Sequence, residues 1–401
     1  MEFSKDLLLE IYEKIKPFIN KTPVLQFDFI NDLCNCNVYF KCENFQKTGS
    51  FKIRGASNAI FSLNEQESAQ GVACQSSGNH GGAIACAAAL KGVHADIVMA
   101  KSVSKAKIHN VRTYNGNMIF CDSMSERDAL FAKTVEENNR ISIHPYDNYS
   151  VMAGQGTIGL EIVDQVPEFD SVVVPIGGGG LAAGTVIAIK EKNPNVKVIG
   201  VQSKSFPSMY ESVKQNERRS TGGDRTIADG ISVKMPGEIT FEIIKNLIDE
   251  IVLVDDDEIT KAMFLLMERM KFVVEPAGAV GLAYLISKKP SPGKKVVAVL
   301  AGGNVDMYLL GQIVDKGLAA MGRLLVISMA LPDRPGIFKE IVDEIALTNA
   351  NIVEVVHDRL SSKVNAGSVT VTLSLETQGK EQSEKLIEKL KEKKIKFELL
   401  T

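Results

Sequence analysis

From Gly71 to Asp306 the chain alternates short β-branched runs with longer stretches whose apolar positions recur at helical spacing. That alternation is the pattern of a mostly parallel sheet covered by helices. The apolar runs predict strands over Val72 to Gln75, Asp96 to Ala100, Met118 to Cys121, Ser171 to Pro175, Val196 to Val201 and Lys295 to Leu300. Between them the spacing predicts helices over Asn79 to Leu90, Ser104 to Tyr114, Ser125 to Asn138, Thr157 to Asp164, Leu181 to Lys192 and Asp257 to Met270. Folds of this kind place ligands beyond the carboxyl ends of strands, so a sheet split between two lobes with a cleft between them is expected.

The pattern changes after Gly317-Leu318. It then predicts strand (Leu324 to Ala330), helix (Gly336 to Thr348), strand (Ile352 to Leu360), strand (Ser368 to Glu376), helix (Lys380 to Lys391) and a short end strand. This βαββαβ order over about 80 residues has the size of a small ferredoxin-like domain. In the lysine-rich stretch Glu384 to Lys394, Leu386, Ile387 and Leu390 fall at helical spacing, so its charges read as a solvated face.

Composition narrows the classes of function. With 401 residues, 45% of them hydrophobic, the chain can bury more than one core, and two or three domains are expected. A net charge of −3 without a basic stripe argues against nucleic acid or an anionic membrane as a partner. The start, Met1 to Lys5 followed by the amphipathic Leu7 to Ile15, lacks the charged and apolar regions of an export signal, and no apolar run reaches membrane-spanning length. The six cysteines, at 34, 36, 42, 74, 86 and 121, lie in a chain too large to need disulfides, which fits a reducing cytoplasm. Cys34, Cys36 and Cys42 are close in sequence, but no CxxC pair and no His cluster accompanies them.

Three segments invite a chemical reading. In the first, Ser171 to Ile176 runs into Gly177-Gly178-Gly179-Gly180 and then a helix from Leu181. Four glycines let the backbone turn sharply and aim N–H groups at an anion, with phosphate the natural guest. A merely flexible connection is the plainer alternative, and neither common nucleotide-binding glycine pattern is present. In the second, Thr48 to Ala56, Lys52 lies between Phe51 and smaller residues. A dry pocket would lower the pKa of such a lysine and let it form a Schiff base, although an isolated lysine is usually a surface charge. The third is Gln75-Ser76-Ser77-Gly78-Asn79-His80-Gly81-Gly82. Its hydroxyls, amide and helix-terminal N–H groups suit a carboxylate and a phenolate-like oxygen. His80 could act as a base, but the sequence positions no second group to orient it. An ordinary helix cap by Ser77 or Asn79 would leave the other residues unused.

Taken together and in this order, the three segments resemble the threonine and serine dehydratases of the fold-type II pyridoxal-phosphate family, over nearly the whole chain. The resemblance implies a pyridoxal 5'-phosphate cofactor carried on Lys52 as a Schiff base with Phe51 beside it. It implies Asn79 on the cofactor's ring oxygen, and Ser76, Ser77, Asn79 and His80 around the substrate carboxylate. Gly177, Gly178, Gly179, Gly180 and Leu181 match the phosphate cup. Ala153-Gly154-Gln155-Gly156-Thr157, Thr226-Ile227-Ala228-Asp229-Gly230 and Val274-Glu275-Pro276-Ala277-Gly278-Ala279 extend the similarity.

Three departures from the family pattern stand out. Ala301-Gly302-Gly303-Asn304 stands where the family usually writes S-G-G-N, so Ala301 offers the pyridine nitrogen no hydroxyl. Gln202, Phe206 and Ser208 do not form the acidic cluster with which racemase relatives hold a divalent ion, and no metal site is expected. Gly82 stands where glutamine is common.

The fold implied is α/β: a two-lobed fold-type II catalytic domain over 1–320, its small lobe of about 50–150 inserted in the large one, then a ferredoxin-like ACT domain over 322–401. The activity implied is deamination of L-threonine to 2-oxobutanoate and ammonia, with L-serine to pyruvate alongside. Lys52 would take the Cα proton, the cofactor phosphate would assist the leaving hydroxyl, and Ser77 matches the opposite-face position used by relatives that racemise. The alternatives are a serine racemase with L-serine dehydratase activity, or an inert amino-acid-sensing paralogue suggested by Ala301 and the tail. In the tail, Asp333 and Gly336 of the D-R-P-G turn, with Asn351 and Ile352, match places where ACT pairs hold effectors. An amino-acid or nucleotide effector and a homodimer or homotetramer are expected, a purely oligomerising tail being the other reading.

Overall fold

A computed structural model describes residues 4–76, 78–101, 103, 105–223, 225–288, 294–360 and 365–400. Two compact units result, Met1–Asp306 and Met307–Thr401, so the division falls ahead of the helix Met307–Ala320 rather than after it.

The first unit contains two sheets. Six strands run in the order Val24–Gln26, Asn37–Lys41, Lys295–Val299, Ser171–Pro175, Lys197–Ser203, Glu250–Val254, parallel except for the first pair. The other sheet has four parallel strands, Asn117–Cys121, Ala95–Ala100, Val72–Gln75 and Ile141–Ser142. Ser171–Pro175 and Ala95–Ala100 are buried along their whole length. Strands covered by helices on both faces read as continuous apolar runs, which is why their pattern is so plain.

Around the small sheet, the alanine-rich helix Asn79–Lys91 buries every residue from His80 to Ala88 in a core that includes Val72, Cys74, Ile97 and Met99. Beside it lies the helix Lys52–Phe61, and behind that the long helix Tyr149–Gln165. The long helix begins eight residues before the expected Thr157, capped by Asn148 Oδ1, which accepts from Val151 N at 3.0 Å. Gly154 and Gly156 obscure that start in the sequence. Both sit where neighbouring backbone comes close: a Cβ at Gly154 would lie 2.6 Å from Gly55 Cα, and one at Gly156 would lie 3.0 Å from Gly184 O.

A buried charge cluster ties these elements together. Arg54 donates to Glu43 Oε1 and Oε2 and to both oxygens of Glu161, each at 2.8 Å. Lys41 donates to Glu161 Oε2 at 2.5 Å and to Gln165 Oε1 at 2.7 Å. Burial alone would raise the Glu43 pKa, yet Arg54 beside it holds the group below the usual carboxylate range.

The second unit is a ferredoxin-like βαββαβ fold. Its antiparallel sheet has the order Asn351–Asp358, Ser368–Glu376, Leu324–Pro332, Glu398–Leu399. Strict alternation sends Leu325, Ile327, Met329 and Leu331, with Val369, Val371, Leu373 and Leu375, to one face. There they meet Ile341, Ile345, Leu386 and Leu390 of the helices Ile337–Ala346 and Lys380–Glu392. Among the described residues no helix is long and apolar enough to cross a membrane.

Candidate active site

Lys52 is the first residue of its helix, and the turn that delivers it is fastened to the carboxyl end of a central strand. Phe51 N donates to Ala301 O at 3.0 Å, Gly303 N donates to Gly49 O at 2.8 Å, and Ser50 and Gly302 form an antiparallel bridge. The strand Lys295–Val299 leads into that 301–303 turn, so the sheet itself sets the position of the lysine. Lys52 Nζ donates to Pro145 O at 2.8 Å and lies 5.1 Å from the Phe51 ring centre. Burial lowers its pKa to about 8, with the nearby carboxyl of Glu275 opposing the shift. A neutral amine is therefore accessible near physiological pH, the first requirement of a Schiff-base lysine.

The four glycines form the turn between Ser171–Pro175 and the helix Gly180–Lys192. Gly179 has φ +101°, in the left-handed region, and no side chain caps the helix that follows. Its leading N–H groups and their positive partial charge are thus open to an anion. The small size of these residues has a second cause. A Cβ at Gly178 would overlap the Tyr146 ring, and one at Gly180 would lie 2.9 Å from Tyr146 Cα. The segment His144 to Asp147 therefore lies directly on the loop and also supplies the carbonyl that holds Lys52. Asp147 fixes that segment by capping the helix Glu238–Leu247: its carboxylate accepts from the backbone N–H groups of Glu238, Ile239 and Thr240 at 2.9, 2.9 and 3.2 Å.

Asn79 stands at the start of its helix, between Glu275 and Asn304. Its Nδ2 donates to Glu275 Oε1 and Oε2 at 2.8 and 2.9 Å, while its Oδ1 accepts from Asn304 Nδ2 at 2.9 Å. Asn304 Nδ2 also donates to Thr48 O at 2.8 Å. Burial raises the Glu275 pKa to about 7; the Asn79 bond opposes this and the charge of Asp229 adds to it.

The remaining expected residues take different places. Ser76 Oγ accepts from Gly78 N at 3.1 Å and Gly81 N at 3.0 Å, shaping the turn into the Asn79 helix. Ser77 lies outside the described residues. His80 is buried, with Nε2 3.1 Å from Ile143 O. Because a carbonyl only accepts, Nε2 carries the proton, and burial reinforced by Lys52 pushes the pKa down to about 3. His80 is thus neutral, with its ring held by the Ile143 carbonyl. Leu181 and Ala301 are both buried, in the core that holds Val172 and Val299. Gly82 faces Asn110, whose Nδ2 would lie 2.9 Å from an added Cβ. Gln202 Oε1 accepts from Tyr210 N, Ser208 Oγ donates to Val233 O, and Phe206 is buried in the core.

In the second unit, the loop bearing Asp333 and Gly336 follows Pro332, which pairs with Ser368, whereas Asn351 and Ile352 pair with Glu376 and Leu375. Ser368 and Glu376 are opposite ends of one strand, so within one copy the two sets lie roughly 26 Å apart. Asp333 pairs with Arg359 at 2.9 Å, and Asn351 Nδ2 donates to Glu376 Oε2 at 3.2 Å.

Several side chains around the candidate site carried no separate signal in the sequence. Glu275 and Asn304 were visible only as letters of longer motifs. Lys107, which pairs with Asp229 across the site and lies along Gly78, had none at all. Tyr146 and Asp147 follow the weak two-residue strand Ile141–Ser142.

The residues present fit pyridoxal phosphate: an open helix N-terminus with a cradle that any Cβ would fill, a lysine of depressed pKa, and an oriented amide donor. Residues 15–302 match the model of a family described as pyridoxal-phosphate dependent enzymes. The chain is 41% identical over 369 residues to an L-threonine ammonia-lyase of Thermotoga maritima, covering 92% of each chain. It is 39% identical over 386 residues to an L-threonine ammonia-lyase of Geobacter sulfurreducens, covering 96% of each. Among solved structures it is similar to maize serine racemase, with a TM-score of 0.74 and 37% identity over 79% of this chain and 98% of that one.

Proposed function

Because the chain belongs to the family of pyridoxal-phosphate dependent enzymes, we propose that it deaminates L-threonine to 2-oxobutanoate and ammonia, and L-serine to pyruvate more weakly. The observation that carries this reading is the similarity to L-threonine ammonia-lyases, which runs through both units, over 92% and 96% of each chain, and spans the whole Lys52, Asn79 and glycine-loop constellation.

When bound, the cofactor supplies an electron sink, and the protein supplies anchoring, orientation and proton handling. Gly177 to Leu181 would hold its phosphate by backbone N–H groups at the helix N-terminus. Asn79 presents an NH2 donor whose orientation Asn304 fixes. Lys52 Nζ, with a pKa lowered to about 8, takes the Cα proton of the substrate as a general base. Pro145 O is the acceptor against which that amine rests. Water lost from the β-carbon returns in hydrolysis of the enamine, so the net loss is ammonia. Threonine and serine differ by one methyl group, worth roughly 1–3 kcal/mol in a pocket, so both are accepted.

The test is 2-oxo acid release from L-threonine and from L-serine, by the intact protein and by Lys52→Ala. Faster release from threonine that disappears in the variant is the expected result; equal rates in the two proteins would remove Lys52 from the chemistry. The likeness to maize serine racemase favours a second reading. Formation of D-serine faster than pyruvate from L-serine would establish it in place of the first.

For residues 322–401 we propose an ACT-type regulatory domain binding an amino acid, in a cytoplasmic homodimer or homotetramer. An effector touching Asp333 and Gly336 together with Asn351 and Ile352 spans two copies, because one copy holds the two sets apart. A change in threonine turnover on adding L-valine or L-isoleucine, with a change of mass in light scattering, supports it; indifference of both leaves the tail a structural one.

A further inference from the structure

Glu275 is a buried acid to which the proposed function gives no task. It stands immediately before the helix Pro276–Lys288 and is 6% exposed. Its backbone N–H donates to Gly302 O at 2.9 Å, and a Cβ built on Gly302 would overlap its Oε1. The carboxyl therefore lies against the turn made by Ala301 and Gly302. Its oxygens share the Asn79 Nδ2 donor described above, and among the described residues no lysine or arginine pairs with it. The charged groups that face it are Asp229, Lys107 and Lys52.

We propose that Glu275 sets the protonation of the cofactor's ring nitrogen at a turn where Ala301 provides no hydroxyl. This rests on the reading that pyridoxal phosphate binds at Lys52. The transfer is a simple acid–base exchange. The proton leaves the Glu275 carboxyl oxygen, whose O–H electrons stay behind as carboxylate, and the ring nitrogen accepts it with its lone pair. A hydroxyl can share a hydrogen bond with that nitrogen but cannot hold the ring cationic, whereas a carboxylate can. A cationic ring withdraws electrons more strongly, which makes a carboxyl at this turn a stronger catalytic partner than a serine would be. Burial brings the carboxyl into the range where the exchange is nearly balanced near neutral pH. The same network gives Asn79 its orientation, so one acid serves both the ring and its oxygen donor.

A second polar group reaches the same turn. Ser50 is fully buried, its Oγ has no hydrogen-bond partner among the described residues, and its Cβ lies 3.0 Å from the position of an added Cβ on Gly302. A hydroxyl there competes with Glu275 for the role, and the experiment must separate them.

The experiment follows the absorbance of the bound cofactor from about pH 5.5 to about pH 9 in the intact holoprotein and in Glu275→Gln, Glu275→Asp, Ser50→Ala and Ala301→Ser. The intact protein is expected to change its band ratio by about tenfold per pH unit through one titration near neutrality. Glu275→Gln, saturated with cofactor, is expected to lose that titration, and Glu275→Asp, which keeps an acid on a shorter arm, to move its midpoint. Ser50→Ala should retain it. Far-UV circular dichroism establishes folding, and if the glutamine variant fails to fold, an unmoved midpoint in Glu275→Asp overturns the proposal. Retention of the wild-type titration by Glu275→Gln overturns it, as does loss confined to Ser50→Ala. Failure of the intact protein to take up any chromophore would defeat the functional reading itself, before Glu275 is reached.

Discussion

The side-chain amide of Asn304 donates to Asn79 Oδ1 at 2.9 Å, and that bond decides which end of the Asn79 amide faces Glu275. The Asn304 nitrogen has no lone pair to accept with, so Asn79 must offer it oxygen and turn its own NH2 the other way. Replacing Asn304 by Asp substitutes an acceptor for that donor and forces Asn79 to choose between two acids. Turnover on threonine is expected to fall about 10- to 100-fold, the range seen when a supporting partner is lost. Steady-state kinetics of Asn304→Asp beside Asn304→Ser check it, with the serine variant, which keeps a donor, losing less.

Gly178→Ala is expected to release cofactor. Its added methyl overlaps the Tyr146 ring, so the loop or the segment carrying Pro145 has to shift. Equilibrium dialysis against pyridoxal phosphate reads the loss. In Gly178→Ala/Tyr146→Ala the binding should partly recover, and a double-mutant cycle with additive losses would rule out the steric coupling.

Arg54→Met should destabilise the first unit by about 3–5 kcal/mol, because it strands Glu43 and Glu161 in the core with Lys41 as the one cation left to them among the described residues. The loss is read from denaturant unfolding. Glu43 adds a pH signature. Its folded pKa lies below the unfolded value of 4.5, so its contribution is present above that value and disappears as pH falls through the folded one.

Cofactor uptake by the cofactor-free protein should depend on the free amine of Lys52. Since its pKa is lowered to about 8, the neutral fraction rises about tenfold per pH unit below that value and levels off above it. Stopped-flow absorbance on mixing with pyridoxal phosphate measures the rate. A rate still climbing steeply beyond pH 9.5 would point to an ordinary exposed lysine instead.

Glu275 makes a stability prediction of opposite sign to Glu43. Its folded pKa, about 7, lies above the unfolded 4.5, so the cofactor-free protein loses stability as pH rises from about 4.5 to 7. Glu275→Gln should flatten that dependence and unfold at a higher temperature than the parent at pH 8, but not at pH 4.5. Parallel melting curves in differential scanning calorimetry would show otherwise.

Much of this site was legible in the sequence because its parts are local. The glycine loop, the Lys52 segment and the Ser76 to His80 turn each join a strand to a helix within a few residues, and their composition departs from what a connection needs. What stayed hidden is non-local. The strand Asn37–Lys41 is short, and its place in the sheet is set by pairing with the distant Lys295–Val299. The early start of the helix Tyr149–Gln165 was masked by Gly154 and Gly156, which a helix tolerates here only because neighbouring backbone fills the space. For His80 the sequence positions no orienting group, and the one the fold supplies, Ile143 O, comes from a distant segment. That Asp333 and Asn351 lie near opposite ends of one pairing strand is a matter of register, which the sequence does not display.

The placement of Asn37–Lys41 between Val24–Gln26 and Lys295–Val299 bears on how the chain is made. An emerging polypeptide carries Lys52 and the glycine loop long before residue 295 leaves the ribosome, but until then its early strand has only an edge to pair with. The turn that aims Lys52 closes only when residues 301–303 arrive. Assembly of the reactive centre is therefore a late event of synthesis, gated by contacts of long sequence separation and slow loop closure. An interrupted chain ending between Lys52 and residue 295 holds the reactive lysine without the means to use it.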